Sequence, residues 1–224
     1  EENSIKIHKW LYPASWLYGA GVALRNKLFD WGKLQSKSFN VPIICIGNIA
    51  VGGTGKRRTQ VSDKVAHDEF QVAVLSRGYK RHTKGFVLST AESDARSIGD
   101  ELIKTIEILD IQVAVDEDRC HGIERLLTLK EPPVEVILLD DAFQHRYVKA
   151  GLNILLTDYH RLFCDDTLMP AGRLRESAQG KIGTDSHRNQ MSADIKPIDY
   201  NIITKRLNLF PYQQLYFSSF RYGN

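Results

Sequence analysis

The most constraining stretch of the chain is residues 43–56, where the apolar run Ile43-Ile44-Cys45-Ile46 ends in Gly47-Asn48 and leads into Ala50-Val51-Gly52-Gly53-Thr54-Gly55-Lys56. A short run of β-branched apolar residues closed by glycine and asparagine predicts a strand covered on both faces. Such a strand needs neighbours beside it and layers above and below it. The glycines that follow let consecutive N–H groups turn inward around an anion, and Lys56 adds a mobile positive charge.

Neighbouring strands are easy to find. Apolar runs recur at residues 71–75, 112–115, 134–139 and 152–156, separated by stretches of helical or loop character such as 100–109 and 119–127. Short buried strands alternating with helices of about ten residues are the pattern of βαβ units, whose crossovers place helices on both faces of a parallel sheet. The predicted class is therefore α/β, a doubly wound, mostly parallel sheet. Further on, residues 177–192 are polar and aperiodic, which predicts a surface loop or boundary. Residues 200–209 read as a helix and 214–220 as a strand.

Composition excludes several alternatives. An apolar fraction of 42% with seven prolines in 224 residues describes a folded globular chain rather than a disordered one. Thirty Lys and Arg against 27 Asp and Glu leave no basic excess to suit nucleic acid, so no nucleic-acid partner is expected. Cys45, Cys120 and Cys164 lack metal-ligand spacing and read as reduced thiols. No window reaches the roughly 20 apolar residues of a membrane-spanning helix.

The glycine-rich stretch resembles a P-loop, G-x-x-x-x-G-K-[ST], so Val51, Gly52, Gly53, Thr54, Gly55 and Lys56 are the candidate phosphate cradle. Ala50 stands at its first position. Arg57 stands where Ser or Thr ordinarily ligates Mg²⁺. Arg57 cannot ligate a cation, so either other groups hold the metal or the chain binds a nucleotide without transferring its phosphate. A glycine-rich turn that binds nothing is the bland alternative.

A second site follows the run Leu138-Leu139, where Asp140 and Asp141 fall at a strand's C-terminal end. Ligands of open α/β sheets bind outside those ends, and an Asp there is the usual second anchor for the Mg²⁺ of a P-loop nucleotide. By themselves two adjacent aspartates are as readily a turn or a helix cap. Gln144 and His145 are expected on the next helical turn, facing the same crevice. Gly99-Asp100-Glu101 supplies further carboxylates, with a helix N-terminus as its bland reading. The arginines of Ser76-Arg77-Gly78-Tyr79 and of Pro170-Ala171-Gly172-Arg173-Leu174-Arg175-Glu176 have forked donors that suit phosphate.

Residues 10–24 are uncharged and aromatic-rich, then basic at Arg25 and Lys27. Leu17, Gly21, Leu24, Leu28 and Trp31 share one side of a predicted helix, with Pro13 in its first turn. That stripe either packs on the domain or lies in a membrane interface, where Trp, Tyr and snorkelling cations are at home.

In this order, AVGGTGK, SRGY, GDE, DEDR, LLDDAFQHR and MPAGRLRE resemble the tetraacyldisaccharide 4'-kinase family, the lipid A kinases of Gram-negative bacteria, from about Pro13 to Glu176. The resemblance implies a kinase that uses ATP and Mg²⁺ to phosphorylate the 4'-hydroxyl of an acylated disaccharide phosphate, a membrane lipid. It implies a peripheral location on the cytoplasmic face of the inner membrane. Carried over, Lys56 and Gly52 to Gly55 hold ATP phosphates, Asp140 and Asp141 manage Mg²⁺, and Glu101 and Gln144 are further candidate metal residues. Asp100 helps deprotonate the sugar hydroxyl, while Arg119 and Arg175 face phosphate. The expected organisation is an N-terminal amphipathic, membrane-facing helix (1–35), a P-loop nucleotide-binding core (36–180) and the start of a smaller C-terminal subdomain (181–224). The expectation is that the chain is incomplete there, since the family's second-domain histidine has no counterpart. A kinase for a soluble substrate and a non-catalytic nucleotide-binding module remain the competing readings.

Overall fold

The computed structural model describes residues 7–51, 70–79, 81–90, 93, 95–99, 102, 111–129, 131, 133–158, 161–178, 186–191 and 197–219. The chain forms two compact units, one of residues 1–33, 47–54 and 153–224, the other of residues 34–46 and 55–152.

The second of these holds the strands read from the apolar runs: β1 (Ile43–Gly47), β2 (Val72–Ser76), β3 (Val87–Leu88), β4 (Gln112–Val115) and β5 (Val136–Asp140). They lie in the order β3-β4-β2-β5-β1. All pair in parallel except β3, a two-residue antiparallel strand against β4. The alternation of side chains across the pleat sorts the runs into two cores. Ile43, Cys45, Ala73, Leu75, Ala114, Ile137 and Leu139 pack with Ile123 and Leu126 of the helix Arg119–Leu127. Val72, Val74, Val113, Val115, Val136 and Leu138 pack with Ile98, Leu102 and Ile111. Burial on both faces is why these strands read as continuous hydrophobic runs.

Two helices of this unit are described, α2 (Ala95–Ile98) and α3 (Arg119–Leu127). Helix α3 starts where it does because the Asp118 carboxylate accepts the N–H groups of Cys120 and His121 at 2.9 and 3.2 Å. A cap of this kind stabilises a helix by about 1 kcal/mol.

The other unit contains α1 (Tyr12–Asp30), β6 (Leu152–Asp158), β7 (Ser186–Met191), α4 (Pro197–Leu207) and β8 (Gln214–Ser219). Strand β7 corrects the expectation of a loop over 177–192. It pairs in parallel with β6, Ile154 opposite Ser186, and with β8, Ser186 opposite Gln214. A ladder on each side satisfies the backbone of a strand whatever its side chains, so SHRNQM carries no apolar signal to betray it.

Helix α1 begins with Pro13 in its first turn, as predicted. Its apolar stripe does not face the rest of the unit: Leu17 is 78%, Leu24 56% and Trp31 65% exposed. Ser15 and Phe29 are the buried positions. No helix among the described residues is long and apolar enough to cross a membrane.

Candidate functional site

The parallel register delivers the paired aspartates to one end of the sheet. Asp140 is the last residue of β5 and lies opposite Ile46 of β1, the strand that runs on in sequence toward the glycine-rich stretch. Asp141 follows with φ 45°, a left-handed conformation that a short polar side chain tolerates better than a branched one. Ser76, ending β2, places its hydroxyl 3.5 Å from Asp140 Oδ2, and its carbonyl accepts the Asp116 N–H at 3.0 Å. Residues from the ends of β1, β2, β4 and β5 are thereby gathered on one rim.

Arg119, in the first turn of α3, is 2% exposed. Its Nη1 donates to the Asp116 carbonyl at 2.5 Å, and its buried Nε has no hydrogen-bond partner among the described residues. Burial pulls its pKa down from 12.5 to about 10, partly offset by Asp140 and Asp141 and reinforced by Arg77. Arg119 therefore stays cationic at neutral pH, a poorly hydrated charge held in the field of the two carboxylates. Cys45 below it is neutral, its thiol pushed up to about 12 by burial.

Asp116 and His121 belong to this rim: Asp116 opens the DEDR motif, from which the sequence reading singles out only Arg119, and His121 lies just beyond it. The nearly buried Asp116 carboxylate accepts the Asp118 N–H at 2.9 Å and meets His121 Nδ1 at 2.6 Å. The available signal was positional: Asp116 directly follows the apolar run 112–115, as Asp140 closes the run 134–139.

The expected helical turn over Gln144 and His145 is instead a series of turns, His145 N–H to Ala142 O at 2.8 Å and Val148 N–H to His145 O at 3.3 Å. With Asp141 in the left-handed region, a right-handed helix cannot continue directly from it. Gln144 is half-buried in these turns. Gly52, Gly53, Thr54, Gly55, Lys56, Asp100 and Glu101 lie outside the described residues, as do Arg57 and the helix expected over 100–109. Just before Asp100, Gly99 has φ 97°, and a Cβ there would stand 3.0 Å from the Tyr79 carbonyl oxygen, so the chain is drawn close to the exit of β2.

The arginine-bearing motif is built in the other unit. Arg175 N–H donates to Ile49 O and Val51 N–H to Arg173 O, both at 2.7 Å, with Ala50 bridged antiparallel to Leu174. Residues 173–175 thus grip the three residues that precede Gly52, and Val51 is fixed by this backbone contact. Asp166, 1% exposed at its side chain, holds the segment's shape. Its Oδ2 takes Arg161 Nε and Nη2 at 2.9 and 2.8 Å, and its Oδ1 takes the N–H groups of Thr167 and Arg173 at 2.8 and 3.1 Å. A Cβ on Gly172 would overlap the Thr167 carbonyl oxygen and the Asp166 carboxylate, which explains the glycine inside PAGRLRE.

A parallel α/β sheet, a strand that leads on in sequence to a glycine-rich lysine loop and a neighbour ending in paired aspartates together define the P-loop NTPase-like class. Comparison narrows this. The profile of the tetraacyldisaccharide-1-P 4'-kinase family matches residues 7–200, and the chain belongs to that family. It is 85% identical to the tetraacyldisaccharide 4'-kinase of Bacteroides fragilis strain YCH46 and 67% identical to that of Bacteroides thetaiotaomicron, in each case over 100% of this chain and 60% of the relative. The chain thus spans about 60% of the length of these curated relatives. Among solved structures it is similar to the "apo" form of LpxK from Aquifex aeolicus in complex with ATP, with a TM-score of 0.73, 28% identity, and coverage of 95% of this chain and 81% of that one.

Proposed function

We propose that the protein transfers the γ-phosphoryl group of ATP to the 4'-hydroxyl of tetraacyldisaccharide 1-phosphate, the lipid A kinase reaction, at the cytoplasmic face of the inner membrane. The observation that carries the reading is the register of β5 against β1, which sets Asp140 opposite Ile46 at the strand end that leads to the glycine-rich sequence. Family membership and the ATP complex of the similar Aquifex aeolicus protein support it.

Phosphoryl transfer asks mainly for positioning and charge stabilisation. The backbone from Val51 to Gly55 and Lys56 hold the nucleotide phosphates in this reading. Asp100 accepts the proton of the sugar hydroxyl as its oxygen bonds to phosphorus and ADP leaves. Arg119 and Arg175 offset charge on the transferring group. Among the described residues no three His, Cys, Asp or Glu side chains cluster as a closed metal cage. Mg²⁺ takes one or two carboxylates and completes its shell with phosphate oxygens and water. Asp140, Asp141, Glu101 and Gln144 are the residues that would hold it, and bound there it would neutralise phosphate charge.

The substrate is a lipid, and the exposed Trp10, Trp16, Leu17, Leu24 and Trp31 favour a peripheral helix in the headgroup layer over a soluble substrate. Residues 1–35 then serve as the membrane-facing element, 36–180 as the nucleotide core and 181–224 as the start of a smaller subdomain. Incubation of the full-length protein with γ-labelled ATP, Mg²⁺ and the tetraacyl disaccharide monophosphate in mixed micelles is expected to yield labelled lipid, and Asp141→Ala to abolish it. ATP binding with no labelled lipid would select the non-catalytic module that Arg57 suggests.

A further inference from the structure

Helix α1 has a second face, turned away from its exposed stripe. Ser15 Oγ donates to Leu168 O at 3.0 Å and accepts the Ala171 N–H at 2.9 Å, although Ser15 is a polar residue that is almost wholly buried. One turn on, the Tyr18 hydroxyl donates to Arg175 O at 2.9 Å. Two turns beyond that, Arg25 Nη2 meets Glu176 Oε1 at 2.6 Å, with the Glu176 side chain 8% exposed. Positions 15, 18 and 25 fall on one side of a helix, so three polar contacts tie α1 along its length to residues 168–176. Those residues are the ones whose backbone grips Ile49 and Val51 directly ahead of Gly52.

We propose that Tyr18 and the Arg25–Glu176 pair are positioning residues that couple seating of α1 on a lipid surface to nucleotide binding, acting through the Arg173–Arg175 backbone on the chain ahead of the phosphate loop. The inference rests on the membrane and nucleotide readings above. Phe29 is the buried apolar position on this side. The polar groups of Tyr18 and Arg25 go to the carbonyl of Arg175 and the carboxylate of the next residue. A half-buried ion pair and a hydroxyl-to-carbonyl bond have directional geometry, so a shift of α1 moves Arg175 and its partner Ile49 together. Coupling between two ligands is reciprocal: if the lipid surface tightens ATP binding, ATP tightens lipid binding by the same factor.

That reciprocity supplies a readout independent of catalysis. Within these 224 residues the tryptophans are Trp10, Trp16 and Trp31, all on or beside α1, so selectively excited tryptophan fluorescence of this chain follows that helix. The chain is titrated with vesicles of phosphatidylethanolamine and phosphatidylglycerol, with and without saturating Mg-ATP, and ATP binding is measured separately by calorimetry. Mg-ATP is expected to tighten vesicle binding by about fivefold or more in the unaltered protein. In Tyr18→Phe/Glu176→Gln that shift falls below about twofold, with vesicle binding in the absence of nucleotide unchanged. Tyr18→Phe alone, which removes one hydroxyl, gives an intermediate shift if the double variant folds poorly. A double variant that keeps the full shift overturns the proposal, as does an unaltered protein that binds ATP and vesicles with no mutual effect. Failure to bind ATP at all overturns it together with the nucleotide reading.

Discussion

Replacing Arg119 by methionine separates the demands of function from those of stability. Burial lowers the Arg119 pKa from 12.5 to about 10. That shift is a net cost of about 3 kcal/mol on the charged form. Methionine keeps the stem's packing and removes that cost, but it forfeits the hydrogen bond to the Asp116 carbonyl, worth about 1.5–3 kcal/mol for a charged donor. The two nearly cancel, so urea unfolding of Arg119→Met is expected to give a stability within about 1 kcal/mol of the parent. Phosphate transfer is expected to fall by about a hundredfold or more, the usual loss when a preorganised charge is removed from a transition state. The paired assay is urea denaturation followed by circular dichroism, beside labelled-phosphate transfer under saturating ATP. Normal transfer by Arg119→Met, or a stability loss of about 3 kcal/mol that itself accounts for the lost transfer, would refute the assignment of Arg119 as a functional cation.

Three further outcomes are expected. Gly172→Ala forces a methyl against a backbone oxygen and a carboxylate already bound by four donors, and should lower stability by about 1–3 kcal/mol, read as a reduced urea midpoint. Leu17→Glu, at a position 78% exposed, should leave the urea midpoint unchanged while weakening vesicle binding in a flotation assay. Cys45 has a folded pKa of about 12 against an ordinary 9.0, so the unfolded chain loses a proton that the folded one keeps and this group's contribution to stability falls as pH rises from 9 to 12. At pH 8 a disulfide-exchange reagent should label Cys120 and Cys164 first and Cys45 only on unfolding, as read by mass spectrometry of tryptic peptides.

The strands that were legible in the sequence are those whose burial is two-sided. Ile43 to Ile46, Val113 to Val115 and Ile137 to Leu139 are apolar at every position because helices or loops cover both faces, and a continuous run needs no period to be noticed. Strand β7 escaped because its pairing is a matter of backbone alone, and β3 because two residues make no pattern. The helix over 12–30 was legible by spacing, but which side faced inward was not: its buried side is marked by Ser15, Tyr18 and Arg25, whose partners lie about 150 residues away in sequence. Asp140 and Asp141 were legible because a paired carboxylate closing an apolar run coincides with a glycine-rich lysine loop elsewhere in the chain; without that loop a turn or a helix cap explains them as readily. Asp116 stands in the same position but is preceded by a shorter run, and only the fold brings it to Ser76 and His121.

The small strand β3 has a consequence for how the protein behaves in company. Val87 and Leu88 cover Val115 and Ala114, and Ser89 N–H reaches Val113 O at 2.8 Å, so most of the outer margin of β4 is already hydrogen-bonded. A bare parallel margin would be a template for a foreign strand. With two residues of reversed direction laid across it, that margin offers an incoming chain only a very short edge to extend, and self-association through it is suppressed.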